Sequence, residues 1–81
     1  MKIRIKFYAQ LRDEAGAEYL EIDLPDRSTI AELLEKIYQM RPALRSHAKS
    51  ILVGAGVEFV DRDYKLKPSE EIAIMPPVQG G

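Results

Sequence analysis

The stretch Ile72-Ala73-Ile74-Met75-Pro76-Pro77-Val78-Gln79-Gly80-Gly81 decides how the rest of the chain is read. It opens with the alternation of a strand, Ile72 and Ile74 facing one way and Ala73 and Met75 the other. Pro76 and Pro77 cannot donate to a sheet ladder and each holds φ at about −65°, so the strand is expected to stop there and the chain to leave it extended. Gly80 and Gly81 lack Cβ atoms and can thread a passage that admits only backbone. No charged side chain follows Glu71. From Pro76 onward the reach is at most ~20 Å, at roughly 3.3–3.6 Å per extended residue. The reactive group expected at its tip is the main-chain carboxylate of Gly81.

Working back from that end, 81 residues suffice for one domain with a small core, and hydrophobic residues at 46% with charged residues at 31% fit a globular chain. A formal net charge of −1 supplies no broad basic field for nucleic acid. The chain has no cysteine and a single histidine, His47, which removes disulfides, a thiolate nucleophile and a cysteine or paired-histidine metal site from consideration. His47 reads as a surface residue of a connector. The start at Met1-Lys2-Ile3-Arg4-Ile5 has no signal-peptide pattern, and no apolar run approaches membrane-spanning length. The expected compartment is the cytoplasm, with no membrane partner.

Ile3, Ile5 and Phe7 alternate with Lys2, Arg4 and Lys6, which predicts a half-buried strand over residues 1–8. Residues 9–16 read as a loop. Residues 18–24 alternate again, with Leu20, Ile22 and Leu24 inward, and should pair antiparallel with the first strand. Thr29 and Glu32 form a capping-box pattern, with Ser28 as a rival cap, and Ile30, Leu33, Leu34 and Ile37 recur at helical spacing until Pro42 disfavours helix at Arg41. Residues 41–50 read as a connector. A short strand over 51–53, a turn over Gly54-Ala55-Gly56 and a strand over 57–60 follow; the glycine spacing lacks a complete phosphate-binding loop and no Gly-Lys-Ser/Thr follows it, which speaks against a nucleotide site. The last strand covers 71–75. The pattern is ββαβββ: an α+β fold whose sheet is covered on one face by one main helix.

The alternation also aims Tyr8, opposite Phe7, and Met75, opposite Ile74, away from the helix. Phe59 belongs to a strand so short that one bulge would invert its direction. If the first and last strands are neighbours, Tyr8 and Met75 form a partner-binding patch beside the root of the tail, with Phe59 the third candidate.

Three segments together resemble a known family: Ile5-Lys6-Phe7-Tyr8-Ala9-Gln10-Leu11-Arg12-Asp13-Glu14-Ala15-Gly16, Thr29-Ile30-Ala31-Glu32-Leu33-Leu34, and above all Met75-Pro76-Pro77-Val78-Gln79-Gly80-Gly81. Over essentially the whole chain they are similar to the small, sulfur-carrying subunit of molybdopterin synthase. The Pro-Pro-Val-x-Gly-Gly ending discriminates this family from other ubiquitin-like sulfur carriers. The chain departs from the family pattern at Gly56-Val57, where Asn-Gly is frequent, at Pro68-Ser69-Glu70-Glu71, where Asp-Gly-Asp-Glu is frequent, and at Met75, where an aromatic or aliphatic residue is usual.

The resemblance implies a ubiquitin-like β-grasp fold over residues 1–76, its first and last strands parallel neighbours, and an extended reactive tail over 77–81. It further implies that an E1-like enzyme uses ATP and magnesium to adenylate Gly81, and that a persulfide donor converts the adenylate to a thiocarboxylate. Pro76, Pro77, Val78, Gln79 and Gly80 would then thread the tail into a large synthase subunit, where sulfur passes to a cyclic pyranopterin precursor of the molybdenum or tungsten cofactor. On this reading the chain binds no metal or cofactor itself and is a sulfur-donating, non-catalytic subunit. The alternatives are a ubiquitin-like modifier joined through Gly81 to lysines of other proteins, or a sulfur carrier for another pathway.

Overall fold

Hydrophobic alternation at both ends of the chain builds the middle of one sheet. The computed structural model of the chain describes residues 1–77. Its elements are β1 (Lys2–Phe7), α1 (Gln10–Ala15), β2 (Tyr19–Asp23), α2 (Ile30–Met40), a 3₁₀ helix (Pro42–His47), β3 (Leu52–Ala55), β4 (Glu58–Phe59) and β5 (Glu71–Met75). The strand order is β2-β1-β5-β3-β4. β1 runs antiparallel to β2 and parallel to β5, and β3 is antiparallel to both β5 and β4. This mixed sheet with its helix is the ubiquitin-like β-grasp arrangement.

Ile3, Ile5 and Phe7 of β1 and Ile72 and Ile74 of β5 are buried in one core with Ile30, Leu33, Leu34 and Ile37 of α2. The apolar stripe of α2 recurs every three to four residues, so the helix can bury one side against the sheet only in this orientation. Its start is fixed by the capping box: the Thr29 amide donates to Glu32 Oε1 at 2.9 Å, and the Glu32 amide donates to Thr29 Oγ1 at 3.3 Å. Ser28 does not serve as the cap. It is buried, and its hydroxyl donates instead to the Pro25 carbonyl at 2.6 Å.

Five local expectations are corrected. Residues 9–16 are largely helical: Leu11 and Ala15, one turn apart, are buried, and Gly16 at φ 73° closes α1 in the left-handed conformation that glycine adopts without strain. The connector over 41–50 is mostly a 3₁₀ helix, anchored by the fully buried Leu44. Gly54 and Ala55 lie within β3, which leaves the turn to Gly56, at φ 64°, and Val57. β4 accordingly shrinks to Glu58–Phe59. Leu20, expected inward, is only half-buried, because β2 is an edge strand.

The segment between β4 and β5 straps the start of α2. The Ile30 amide donates to the Tyr64 carbonyl, the Ala31 amide to Arg62 and the Leu66 amide to Ser28, while the Arg62 guanidinium donates to the carbonyls of Ala48 and Ile51. The Tyr38 hydroxyl, by contrast, is buried without a hydrogen-bond partner among the described residues, and burial pushes its pKa up. Thr29→Ala is expected to cost about 1 kcal/mol, the usual worth of a helix cap. Tyr38→Phe is expected to leave stability unchanged or raise it by up to ~1 kcal/mol, since it removes only an unpaired polar atom. Denaturant midpoints of the two variants check both expectations.

Candidate functional site

β5 decides where the candidate site lies. Ile72 and Ile74 are buried, and alternation turns Glu71, Ala73 and Met75 to the opposite, outer face. Because β1 and β5 are parallel, their C-terminal ends reach the same edge of the sheet. The Tyr8 amide extends the ladder by donating to the Ile74 carbonyl at 3.1 Å, and Leu52 of β3 lies in register with Met75. Tyr8 therefore stands beside the point where β5 gives way to half-buried Pro76 and exposed Pro77.

The register carries a row of residues across all five strands on the outer face. Tyr19 of β2 pairs with Lys6 of β1, Lys6 with Ala73 of β5, Ala73 with Gly54 of β3, and Gly54 with Phe59 of β4. The pairing with Gly54 settles the direction of Phe59, which shares the outer face and is 68% exposed. The two smallest members, Ala73 and Gly54, sit side by side between larger ones. They floor a shallow groove of about 200 Å³ around which Tyr8, Met75, Phe59 and Val57 stand. A Cβ at Gly54 would lie 3.3 Å from Met75 Cε, so the glycine lets the thioether lie flat against the sheet.

The three residues singled out for partner binding are thus brought to one groove. Val57, fully exposed at the hairpin turn, joins them and was not expected there. Gly54 and Ala73 were also missed as groove residues, although a glycine inside a strand is a signal of close approach. On the β1 side of the groove the Lys6 ammonium lies 5.0 Å from the Tyr8 ring centroid and 5.6 Å from that of Tyr19. Tyr19, and after it Tyr8, hold that ammonium above the ordinary lysine range.

A second, more polar recess lies at the root of the tail, lined by Gln10, His47, Ser50, Pro76 and Pro77. His47 is not a free surface residue. Its Nε2 pairs with Glu14 Oε2, joining the 3₁₀ helix to α1. Among the described residues no group of three or more histidine, cysteine, aspartate or glutamate side chains could hold a metal ion, and no helix is long and apolar enough to cross a membrane. Val78, Gln79, Gly80 and Gly81, to which the threading and reactive roles were assigned, lie outside the described residues.

The model of the ThiS family matches residues 5–81. The chain belongs to the ThiS family. Within reach of that family, it is 34% identical over 83 residues to the molybdopterin synthase sulfur carrier subunit of Dictyostelium discoideum, covering 99% of this chain and 96% of that one. Its fold superposes with a TM-score of 0.89 on SAMP1 from Haloferax volcanii, at 25% identity and over 100% of both chains. It also superposes, with a TM-score of 0.70, at 21% identity and over 100% of both chains, on a chain in the protein–protein complex of subunits 1 and 2 of the molybdopterin-converting factor from Helicobacter pylori. The last likeness is one of fold.

For this member of the ThiS family, the two faces of β5 should respond oppositely to truncation. Tyr8→Ala and Met75→Ala are expected to cost less than about 1 kcal/mol, because neither opens a core cavity, whereas Ile74→Ala should cost roughly 2–5 kcal/mol. Unfolding midpoints for the three variants give the comparison.

Proposed function

We propose that this chain is the sulfur carrier and small subunit of a molybdopterin synthase, supplying a covalent reactant rather than catalysis. The observation that carries the reading is the full-length likeness to a sulfur carrier subunit of that enzyme. It gains support from geometry, since β5 delivers Pro76 and Pro77 from mid-sheet at the same edge as the Tyr8–Met75 groove. A partner docked on the groove would receive the tail directly.

A carboxylate is a poor electrophile, being anionic with no good leaving group. In the proposed cycle an E1-like enzyme uses ATP and magnesium to form an acyl-adenylate at Gly81. The terminal sulfur of a persulfide displaces AMP, and a thiol cleaves the resulting acyl disulfide to leave the thiocarboxylate. Its polarisable sulfur is then a good nucleophile at neutral pH, for the reason that makes a thiolate the reactive form of cysteine. Docking through Tyr8, Phe59 and Met75, with the segment from Pro76 to Gly80 threaded into the large subunit, would place that sulfur on the pyranopterin precursor. We assign this cycle to the cytoplasm. The likeness to SAMP1 favours one second reading, a ubiquitin-like modifier whose activated Gly81 is captured by lysine amines. Intact mass separates the two: a sulfur-for-oxygen exchange on the free chain supports the carrier, and Gly-Gly remnants on lysines of other proteins support the modifier.

Deletion of Gly81, or extension beyond it, is expected to abolish sulfur transfer while shifting the melting temperature little, because the buried core described above is built between Ile3 and Ile74. Full transfer activity from a blocked terminus would exclude the mechanism. Gly80→Val should slow adenylation or transfer although the carboxylate remains, since a β-branched side chain fills the passage and stiffens the backbone. Single-turnover rates equal to wild type would remove the threading argument.

A further inference from the structure

We infer that the outer sheet face is a two-part receptor, in which the Gly54–Ala73 floor takes an apolar side chain of the partner and Lys6 takes a carboxylate beside it. The inference rests on the sulfur-carrier reading for the identity of the partner and adds the chemistry by which that partner is recognised.

The charges on this face are not equivalent. Arg4 has Glu71 at 3.9 Å and the Tyr19 ring at 4.0 Å, and Lys2 stands in register with Asp23. Lys6 stands in register with Tyr19 and Ala73, and among the described residues no carboxylate lies within ion-pair distance of it. The neighbours of its ammonium are two aromatic rings, which attract it without supplying a counter-charge. One of those rings, Tyr8, also lines the groove, so the cation and the apolar site share a wall.

Lys6 stands beside the groove, not in it, and among the described residues the far wall on β4 carries no charge of the same kind: Glu58 pairs with Ala55, which pairs with buried Ile72, so alternation turns its side chain away from the face that Phe59 and Gly54 share. A partner carboxylate is drawn to the β1 side alone, so the cation and the apolar site together fix the partner's orientation over the tail root. The floor supplies the second half. Ala73 and Gly54 leave room that any larger side chain in the row would fill, and a side chain entering there meets Met75, Phe59 and Tyr8. Lys6 and Gly54 lie two strands apart, which sets the partner's acid and its apolar side chain ~10 Å from each other at about 4.8 Å per strand.

The test measures binding of the full-length chain to the large subunit of the same synthase, by calorimetry at two salt concentrations. Lys6→Glu and Ala73→Leu should each weaken binding at least tenfold with melting temperatures near wild type. Lys6→Gln should weaken it less and flatten its salt dependence, and Lys36→Glu, on the exposed face of α2, should bind as wild type does. Zero-length carbodiimide coupling should join Lys6 to an aspartate or glutamate of the large subunit. Wild-type binding that is unchanged in Lys6→Glu and Ala73→Leu would overturn the receptor and leave the carrier reading standing. Failure of the wild-type chain itself to bind would overturn both.

Discussion

The parallel pairing of β1 with β5 is the constraint on which the rest depends. Ile5 meets Ile72 and Phe7 meets Ile74 across it, and both pairs are buried beneath α2. Parallel neighbours cannot be joined by a tight turn, so everything between them must serve as the crossover. α2 fills that role and covers the face it crosses. The same pairing sends both C-terminal strand ends to one edge, which is why an aromatic at residue 8 and a proline at residue 76 become neighbours. Antiparallel pairing of the two strands would have put them at opposite edges, separating groove from tail.

The outer face shows how a small domain can combine a stable sheet with a contact surface. Among the described residues no second layer covers that side, so its outward residues are not committed to the core. Large residues occupy the flanks of the row and small ones the centre, which turns a flat sheet into a groove without a bulge or insertion. Met75 adds adaptability, since an unbranched thioether can change rotamer to fit what lies over it.

Strand direction and helix position were legible because they depend on period. Alternation alone aimed Tyr8 and Met75 outward, and the Thr29–Glu32 capping box marked the start of α2 to the residue. What stayed hidden depends on tertiary contacts. α1 has six residues, too few to be stable alone, and it exists because Leu11 and Ala15 find the core and Gly16 closes the turn. The 3₁₀ helix depends in the same way on Leu44. Gly54 looked like a turn residue because its neighbours Ala55 and Gly56 are also small; only its pairing with Ala73 and Phe59 places it in a strand. His47 read as a solvated connector because Glu14, its partner, is distant in sequence.

The strap between β4 and β5 bears on motion as well as shape. The first amides of a helix have no intrahelical acceptor and ordinarily exchange with solvent hydrogen fastest. In α2 the amides of Ile30 and Ala31 are bonded to Tyr64 and Arg62, so opening them requires lifting the segment that leads into the middle strand of the sheet. Slow exchange should then extend to the very beginning of α2, and fraying should start from its Met40 end. The helix and the strand that carries the tail thus belong to one cooperative opening unit.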